Sequence, residues 1–231
     1  MNNALEINNL LFKWENKAGF KLKIKKLEVE NKKKVIVFGK SGSGKSTLLN
    51  LISGILSPIR GTLNVNSIEI NKLSQKKKDE FRANNIGVIF QQFNILDYLS
   101  PLQNILLPCF FTQFKKYDKD YFYNRAFDLA QKIDINKNIL LKNNSKNLSV
   151  GQKQRIAILR AIINKPFLIL ADEATSALDE KNKKDFINLL MNLCDEEKVT
   201  LLMVSHDTSL KKNFDNFINI EKILTRNENI N

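Results

Sequence analysis

The segment VIVFGKSGSGKST, at positions 35–47, constrains the fold more than any other part of this 231-residue sequence. Its four apolar residues, Val35 to Phe38, end at a glycine, which is typical of a central strand covered on both faces. After the glycines, apolar residues recur at helical spacing, at Leu48, Leu49, Ile52, Ile55 and Leu56. Positions 58–61 carry the Pro and Gly that end the helical pattern. The segment therefore predicts a strand, a glycine-rich loop and a helix.

The loop fits a phosphate-binding site. Gly39, Gly44, Lys45 and Ser46 match G-x-x-x-x-G-K-[ST] between a predicted strand and a predicted helix, the context that supports this pattern. Glycines let backbone N–H groups turn toward an anion, and a helix N-terminus adds unpaired donors. Lys45 then reaches the β and γ phosphates, and the Ser46 hydroxyl joins a Mg²⁺ shell. We therefore predict a nucleotide site at Gly39, Lys40, Ser41, Gly42, Ser43, Gly44, Lys45, Ser46 and Thr47.

An acidic pair follows a second buried strand, in FLILADE at 167–173. Asp172 lies at the strand end, where it can hold Mg²⁺, and Glu173 is placed to orient or deprotonate an attacking water. Alone, such a pair is more often a helix cap or a solvated turn. Together with the phosphate loop, it predicts nucleotide hydrolysis.

The remaining hydrophobic patterns predict an α/β fold. Residues 5–12 and 20–29 alternate apolar and polar side chains, which predicts antiparallel edge strands. Buried strands are predicted at 86–90, 167–172 and 199–206, and their separation by helical stretches indicates a mostly parallel sheet. The segment 92–147 lacks strand signals and contains a helical pattern at 121–133, so we interpret it as an inserted helical subdomain.

Composition limits the functional classes. The net charge of +13 would attract nucleic acid or an anionic membrane, but the lysines are scattered and no nucleic-acid-binding motif is present, so we expect no specific nucleic-acid partner. Cys109 and Cys194 lack metal-ligand spacing, which predicts buried or incidental thiols in a reducing compartment. No signal peptide and no run of about 20 apolar residues is found, which predicts a soluble cytoplasmic chain.

These residues resemble the nucleotide-binding subunit of an ATP-binding cassette (ABC) transporter over nearly the whole chain. The most specific piece is LSVGQKQR at 148–155, which is similar to the family's signature motif. An early aromatic, the phosphate loop, a glutamine after IGVIF, the signature, FLILADE, SALD and VSHD follow in the family's order. The resemblance implies one domain over 1–231: a P-loop NTPase core with an antiparallel β subdomain in 1–91 and 165–231, and a helical subdomain at about 92–164.

The resemblance also implies ATP, Mg²⁺ and a head-to-tail dimer. Two copies would trap ATP between the phosphate loop of one and the signature of the other, near the start of a helix at Gly151. Ser149, Gly151 and Gln152 match the signature residues, whereas Val150 stands where the family usually has glycine.

Further residue roles are implied by position in the family's motifs. Gln91 would ligate Mg²⁺ together with Ser46 and Asp172, and would act in catalysis beside Glu173. His206, the only histidine, would hold the γ-phosphate and order the water.

Two more residues have alternative interpretations. Asp179 in SALD would align the two subunits, or cap the following helix, or do both. Trp14 would stack on adenine, with Phe12 and Phe20 as alternative aromatic platforms.

Within the family, residues 72–96 and the LADE ending resemble the lipoprotein-release, macrolide-export and cell-division group. SALD after EAT is closer to amino-acid importers, so import stays an alternative. The resemblance implies separate integral membrane permease subunits, docked through the Gln91 loop and about 92–115, on the cytoplasmic face of the cell membrane.

Three other functional classes fit the sequence less well. A DNA-acting ATPase would carry a long coiled coil before the signature, and a translation factor would carry two cassettes. A non-catalytic regulatory cassette would have no need of Glu173 and His206.

Overall fold

A computed structural model describes residues 3–14, 21–112, 119–176 and 178–224. The described strands are β1 (Asn3–Lys13), β2 (Lys21–Glu30), β3 (Lys34–Phe38), β4 (Arg60–Val65), β5 (Ile68–Glu69), β6 (Ile86–Ile89), β7 (Leu168–Asp172), β8 (Thr200–Ser205) and β9 (Asn216–Asn219). The described helices are α1 (Lys45–Ile52), α2 (Gln75–Asn85), α3 (Pro101–Leu106), α4 (Lys119–Lys132), α5 (Lys137–Leu140), α6 (Val150–Ile162), α7 (Glu180–Glu197) and α8 (Ile220–Ile223). Short 3₁₀ turns cover Ile70–Lys72, Leu107–Phe111 and Thr208–Asn213.

The strands form two sheets of different kinds. One has four strands in the order β2-β1-β4-β5 and is antiparallel throughout. The other has five strands in the order β6-β7-β8-β3-β9, and every pair is parallel. The predicted α/β class is therefore confirmed, with a parallel sheet in the core and an antiparallel sheet that includes the N-terminal strands.

Alternate residues of the parallel strands enter two different cores. In β3, Val35 and Val37 pack with the antiparallel sheet and α1, whereas Ile36 and Phe38 pack with α3, α4, α6 and α7. β8 divides in the same way, with Leu202 in the first core and Leu201 in the second. Successive side chains of a strand point to opposite faces, so a sheet covered on both sides needs apolar residues at every position. This is why the short apolar runs predicted buried strands.

Two local predictions are wrong. The strand predicted at 5–12 is not an edge strand, because β1 lies between β2 and β4. The first helix ends at Ile52 and does not continue to Leu56, because Gly54 adopts a left-handed φ of 73°. Ile55 is consequently exposed.

The described residues between β6 and β7 are helical or irregular. α4 confirms the helix predicted at 121–133, while the division into subdomains stays a prediction. Cys109 and Cys194 are buried, as predicted, and burial raises the pKa of each thiol to about 12. Within the described ranges, no helix is both long and apolar enough to cross a membrane.

The parallel sheet brings distant sequence motifs to one edge. The phosphate loop follows β3, Asp172 ends β7, His206 follows β8 and Gln91 follows β6. Carboxyl ends of parallel strands lie at the same edge of a sheet, where ligands of open α/β folds bind. This edge is the candidate site.

Candidate functional site

The loop between β3 and α1 needs its glycines. Gly42 and Gly44 have φ of 74° and 98°, values that other residues rarely adopt. A β-carbon on Gly39 would lie 2.3 Å from Ile220 Cγ2 and 2.5 Å from Ser43 Oγ, so a larger residue would force these side chains to shift. The loop therefore turns tightly into α1, whose first N–H groups have no partner within the helix.

Lys45 lies across this loop. The side chain is buried, and its Nζ donates to the carbonyl oxygens of Gly39 at 2.8 Å and Lys40 at 2.9 Å. The Oε1 atom of Glu173 lies 3.1 Å from the same Nζ. The Ser43 hydroxyl is buried and has no hydrogen-bond partner in the described part of the chain. A buried ammonium and an unpartnered hydroxyl beside open N–H groups fit a phosphate chain.

Ser46 and Asp172 are the residues that fit a magnesium ion. The Ser46 hydroxyl donates to Asp172 Oδ1 at 3.2 Å. Burial raises the pKa of Asp172 above its usual value, and nearby Glu173 adds to this, whereas the Ser46 hydrogen bond and Lys45 oppose it. Hydroxyl and carboxylate oxygens are the ligands that Mg²⁺ prefers, with phosphate oxygens completing the shell. Among the described residues, no group of three or more His, Cys, Asp or Glu side chains would hold a metal unaided.

Glu173 connects three elements of the site. Its backbone N–H donates to Val204 O at 3.0 Å, and its φ of 44° is left-handed, which is uncommon for a residue other than glycine. One carboxylate oxygen faces Lys45, and the other lies 3.1 Å from His206 Nδ1. Strained backbone of this kind clusters at functional sites, because the surrounding structure must hold it in place.

Gln91 reaches the same edge from β6. Its Nε2 donates to Ser176 Oγ at 3.0 Å, which ties the end of β6 to the segment after Glu173. The structure thus brings Gln91, Asp172, Glu173 and His206 together with the phosphate loop. Their catalytic roles stay predictions.

The signature residues form a helix cap. Ser149 Oγ accepts from Gln152 N–H at 3.2 Å, and Gln152 Oε1 accepts from Ser149 N–H at 3.1 Å, so each caps the other at the start of α6. The Val150 side chain is 58% exposed, and a β-carbon on Gly151 would meet nothing closer than 4.0 Å. No described hydrogen bond joins these residues to the phosphate loop of the same chain. The exposed start of α6 is therefore available to another molecule.

Asp179 and Trp14 also have local partners. Asp179 Oδ1 accepts from Asn182 N–H at 2.9 Å, which confirms the helix-cap interpretation, and the hydrogen bonds from Asn182 lower the pKa of Asp179. The half-buried Trp14 ring packs edge-on against Phe12, with ring centroids 5.2 Å apart. Phe20 lies outside the described residues.

One pair near the site was missed by the sequence analysis. The Nζ of Lys183, on α7, lies 2.7 Å from Oδ2 of Asp207, the residue that directly follows His206. This hydrogen bond, followed by one from Ser209, lowers the pKa of Asp207 to about 2. VSHD marked the position of Asp207, but its partner lies 24 residues earlier, and no local pattern predicts that pairing.

Comparisons with known proteins agree on one family. The family model described as "ABC transporter" matches residues 22–176. The ABC transporter ATP-binding protein YxdL of Bacillus subtilis is 38% identical over 208 residues, which cover 90% of this chain and 79% of the relative. The lipoprotein-releasing system ATP-binding protein LolD of Wigglesworthia glossinidia brevipalpis is 35% identical over 196 residues, 84% of this chain and 83% of the relative.

Solved structures give the same answer. The dimeric structure of MJ0796, an ABC transporter cassette from Methanocaldococcus jannaschii, has a TM-score of 0.78, 29% identity and 94% coverage of both chains. A second dimeric structure of that cassette, in a post-hydrolysis state bound to ADP and Pi, has a TM-score of 0.76, with the same identity and coverage.

Proposed function

The chain belongs to the ABC transporter family, and on that premise we propose that it is the subunit whose ATP-driven dimerisation powers a separate membrane permease. It is an ABC-type ATPase, which converts ATP and water to ADP and phosphate. The observation that carries the proposal is the contact of Glu173 with both Lys45 and His206, beside Ser46 and Asp172. Such a group places a phosphate-binding cation, a carboxylate base and a magnesium-ligand pair around one point.

Phosphate binding falls to the loop and its lysine. N–H groups at the start of α1 would donate to the phosphates, and the Ser43 hydroxyl would gain the partner that it lacks. Ser46 and Asp172 would hold Mg²⁺, which would supply positive charge to offset that of the phosphates. Lys45 adds a second positive charge on the transferred group.

Water activation falls to Glu173. A general base must lie within hydrogen-bond reach of the water, and a carboxylate at the end of β7, next to the phosphate loop, meets that requirement. His206 steadies the second carboxylate oxygen from the end of β8. Gln91, tied to Ser176, is placed to contact the magnesium shell and the water from the β6 side.

Closure of the site requires a second copy. At the exposed start of α6, the Ser149 hydroxyl can donate its hydrogen and the Gly151 N–H has no partner within the helix, so both can bind a γ-phosphate. We propose that they contact a nucleotide held by the phosphate loop of the other copy. The dimeric structure of the MJ0796 cassette supports dimerisation.

A groove beside Gln91 is the proposed permease contact. It has a volume of about 600 Å³ and is lined mainly by apolar side chains from the end of β6, the following loop and the 3₁₀ turn after α3, including Phe90, Leu96, Leu107, Pro108 and Phe111. Phe90 and Phe111 are exposed there. We propose that an amphipathic cytoplasmic segment of a permease buries them, with the chain on the cytoplasmic face of the membrane. The LolD relative favours the lipoprotein-release type of permease, one of the two types that the sequence predicts together with macrolide export.

The Glu173→Gln variant tests the hydrolytic assignment. It should bind ATP and dimerise on ATP as the wild type does. Its rate of ATP turnover should fall at least about 100-fold, the usual scale for a lost general base. Glu196→Gln, which removes an exposed carboxylate paired with Lys132, is the matched control and should hydrolyse at the wild-type rate. Undiminished hydrolysis by Glu173→Gln would remove Glu173 from this role.

The same variant identifies the partner. Tagged Glu173→Gln is trapped with ATP in its own cells, extracted from membranes in mild detergent, and analysed for co-purifying proteins. A permease with few spans and a large extracytoplasmic domain is expected. A multi-span importer core with a solute-binding protein would move the assignment to uptake, and nucleic acid or ribosomes without a membrane protein would contradict transport.

A further inference from the structure

Arg160, near the C-terminal end of α6, is a buried cation with an unusual set of partners. It is 7% exposed, and its guanidinium donates to the carbonyl oxygens of Phe93 and Asn94, the latter at 2.7 Å. Both acceptors have left-handed φ, 59° and 46°. No carboxylate in the described ranges forms an ion pair with Arg160. Burial lowers its pKa to about 10, so it stays charged at neutral pH.

The segment that follows Asn94 is also attached to α6 at Lys153 and to the residues before α6 at Ser145. Lys153, on α6, has its Nζ 3.3 Å from Asp97 Oδ1. Ser145, four residues before the signature serine, donates its N–H to Asp97 O at 3.0 Å and its hydroxyl to Leu99 O at 2.8 Å. The segment 93–99 is therefore bound to α6 near its end, near its start and just before it.

A buried asparagine strengthens this connection. Asn104, on α3, accepts from Leu96 N–H at 2.9 Å and donates to Leu96 O at 3.0 Å and Ser145 Oγ at 3.1 Å. Buried networks of this kind are stable only when every member is satisfied, because an unpaired member bears the full desolvation cost. The 93–99 segment, α3 and the approach to the signature are thus joined by hydrogen bonds that exclude water.

Gln91 is attached elsewhere. Its side chain binds Ser176, on the β7 side of the site, whereas Phe93 binds Arg160 on α6. Gln92 is therefore the single residue between the part of the chain held by the β7 side and the part held by α6. α6 itself meets the sheet at its C-terminal end, where a β-carbon on Gly87 would lie 2.1 Å from Ala161 O. Val150 lies roughly 16 Å from Ala161 along the helix, so a tilt of about 10° at that contact would move the signature by about 3 Å.

We propose that Arg160 is a positioning residue that fastens the segment after Gln91 to the signature helix, so that the two move as one rigid unit. The proposal rests on the proposed function, because it explains how a permease pressing on residues 93–99 would move Ser149. Gln91 stays with β7 and the phosphate loop during this movement. The positive charge holds the carbonyl oxygens of Phe93 and Asn94, two residues with left-handed φ, and a neutral side chain of similar length would release them.

The test measures the distance between segment and helix directly. Spin labels are placed by Tyr98→Cys and Val150→Cys, both exposed positions, while the native Cys109 and Cys194 are buried and resist labelling. Pulsed electron resonance should give one narrow distance distribution that is the same with and without Mg-ATP. Introducing Arg160→Met should widen that distribution at least about twofold, and Arg160→Lys, which keeps the charge, should restore most of it.

Arg155→Met is the matched control. Arg155 lies on the same helix, and its guanidinium also donates to two successive carbonyls, those of Ile133 and Asp134, but at the end of α4. Its loss should leave the Tyr98–Val150 distribution narrow. Equal widening by both variants, or none with Arg160→Met, would overturn the proposal. If Arg160→Met does not fold, Ser145→Ala in the same labelled chain must produce the widening.

The outcome is separable from that of the proposed function. The distance is measured within one chain, on labelled protein diluted with an excess of unlabelled protein, and needs neither hydrolysis nor a permease. If the wild type hydrolyses ATP and Arg160→Met leaves the Tyr98–Val150 distance distribution unchanged, only the role of Arg160 is refuted. A chain without ATPase activity but with the predicted widening would keep the rigid unit and remove the transporter assignment.

Discussion

Gly87→Ala should destabilise the protein, although it adds only one methyl group. The added β-carbon would lie 2.1 Å from Ala161 O and 2.9 Å from Ala161 C, both backbone atoms that no rotamer change can move. To restore an allowed separation of at least 3.0 Å, α6 must withdraw from β6 by close to an ångström. Overpacking of this kind costs about 1–3 kcal/mol, and rigid backbone on both sides favours the upper end.

The corresponding shift in melting temperature follows from chain length. For 231 residues, the entropy of unfolding is about 0.5 kcal/mol per kelvin, so a loss of about 3 kcal/mol lowers Tm by about 6 °C. Thermal unfolding of the nucleotide-free protein, followed by circular dichroism, measures this shift.

Gly151→Ala is the control within the same helix. Its β-carbon would meet nothing closer than 4.0 Å, and alanine favours a helix by up to about 1 kcal/mol over glycine. Tm should therefore stay the same or rise by about 2 °C. A Gly87→Ala protein that melts within 2 °C of the wild type would refute the close contact between α6 and β6.

Two further predictions concern charge. Burial raises the pKa of Asp172, so folding favours its protonated form and the ionised carboxylate lowers stability at pH 7. Asp172→Asn should raise Tm at pH 7 without nucleotide and abolish the extra stabilisation by Mg-ATP, as measured by paired melts. Lys183 lowers the pKa of Asp207 to about 2. The stabilisation of the folded protein by this ion pair is therefore complete above about pH 4 and is lost as pH falls toward 2. Urea unfolding should show Lys183→Met less stable than the wild type by a constant amount from pH 5 to 7, with the difference shrinking at pH 3.

The sequence predicts those parts of the site that local chemistry requires. The phosphate loop needs glycine, lysine and serine at fixed spacing, so its strand, loop and helix can be predicted from the 13 residues at 35–47. Ser46 and Asp172 are 126 residues apart, yet their proximity could be predicted, because carboxyl ends of parallel strands meet at one edge.

Other features depend on tertiary structure and leave no local pattern. β9 contains two asparagines in four residues and is a strand because it pairs with β3, Val35 opposite Asn216. The helical spacing of Ile55 and Leu56 is real, but the left-handed Gly54 ends the helix before them. Arg160 and its two carbonyl partners, 66 and 67 residues earlier, become visible only when α6 lies over the end of β6.

The contacts of Lys45 link nucleotide binding to the release of Glu173. Three acceptors lie within 3.1 Å of its Nζ, the carbonyls of Gly39 and Lys40 and the carboxylate of Glu173, and an ammonium group has three N–H donors. A phosphate oxygen can therefore gain a hydrogen bond from Nζ only by replacing one of these partners. The carbonyls belong to a loop whose path is fixed by its glycines, whereas Glu173 stands on a separate strand and keeps His206 as a second partner. Glu173 is consequently the group that gives way, and the carboxylate becomes free for water when the phosphate arrives.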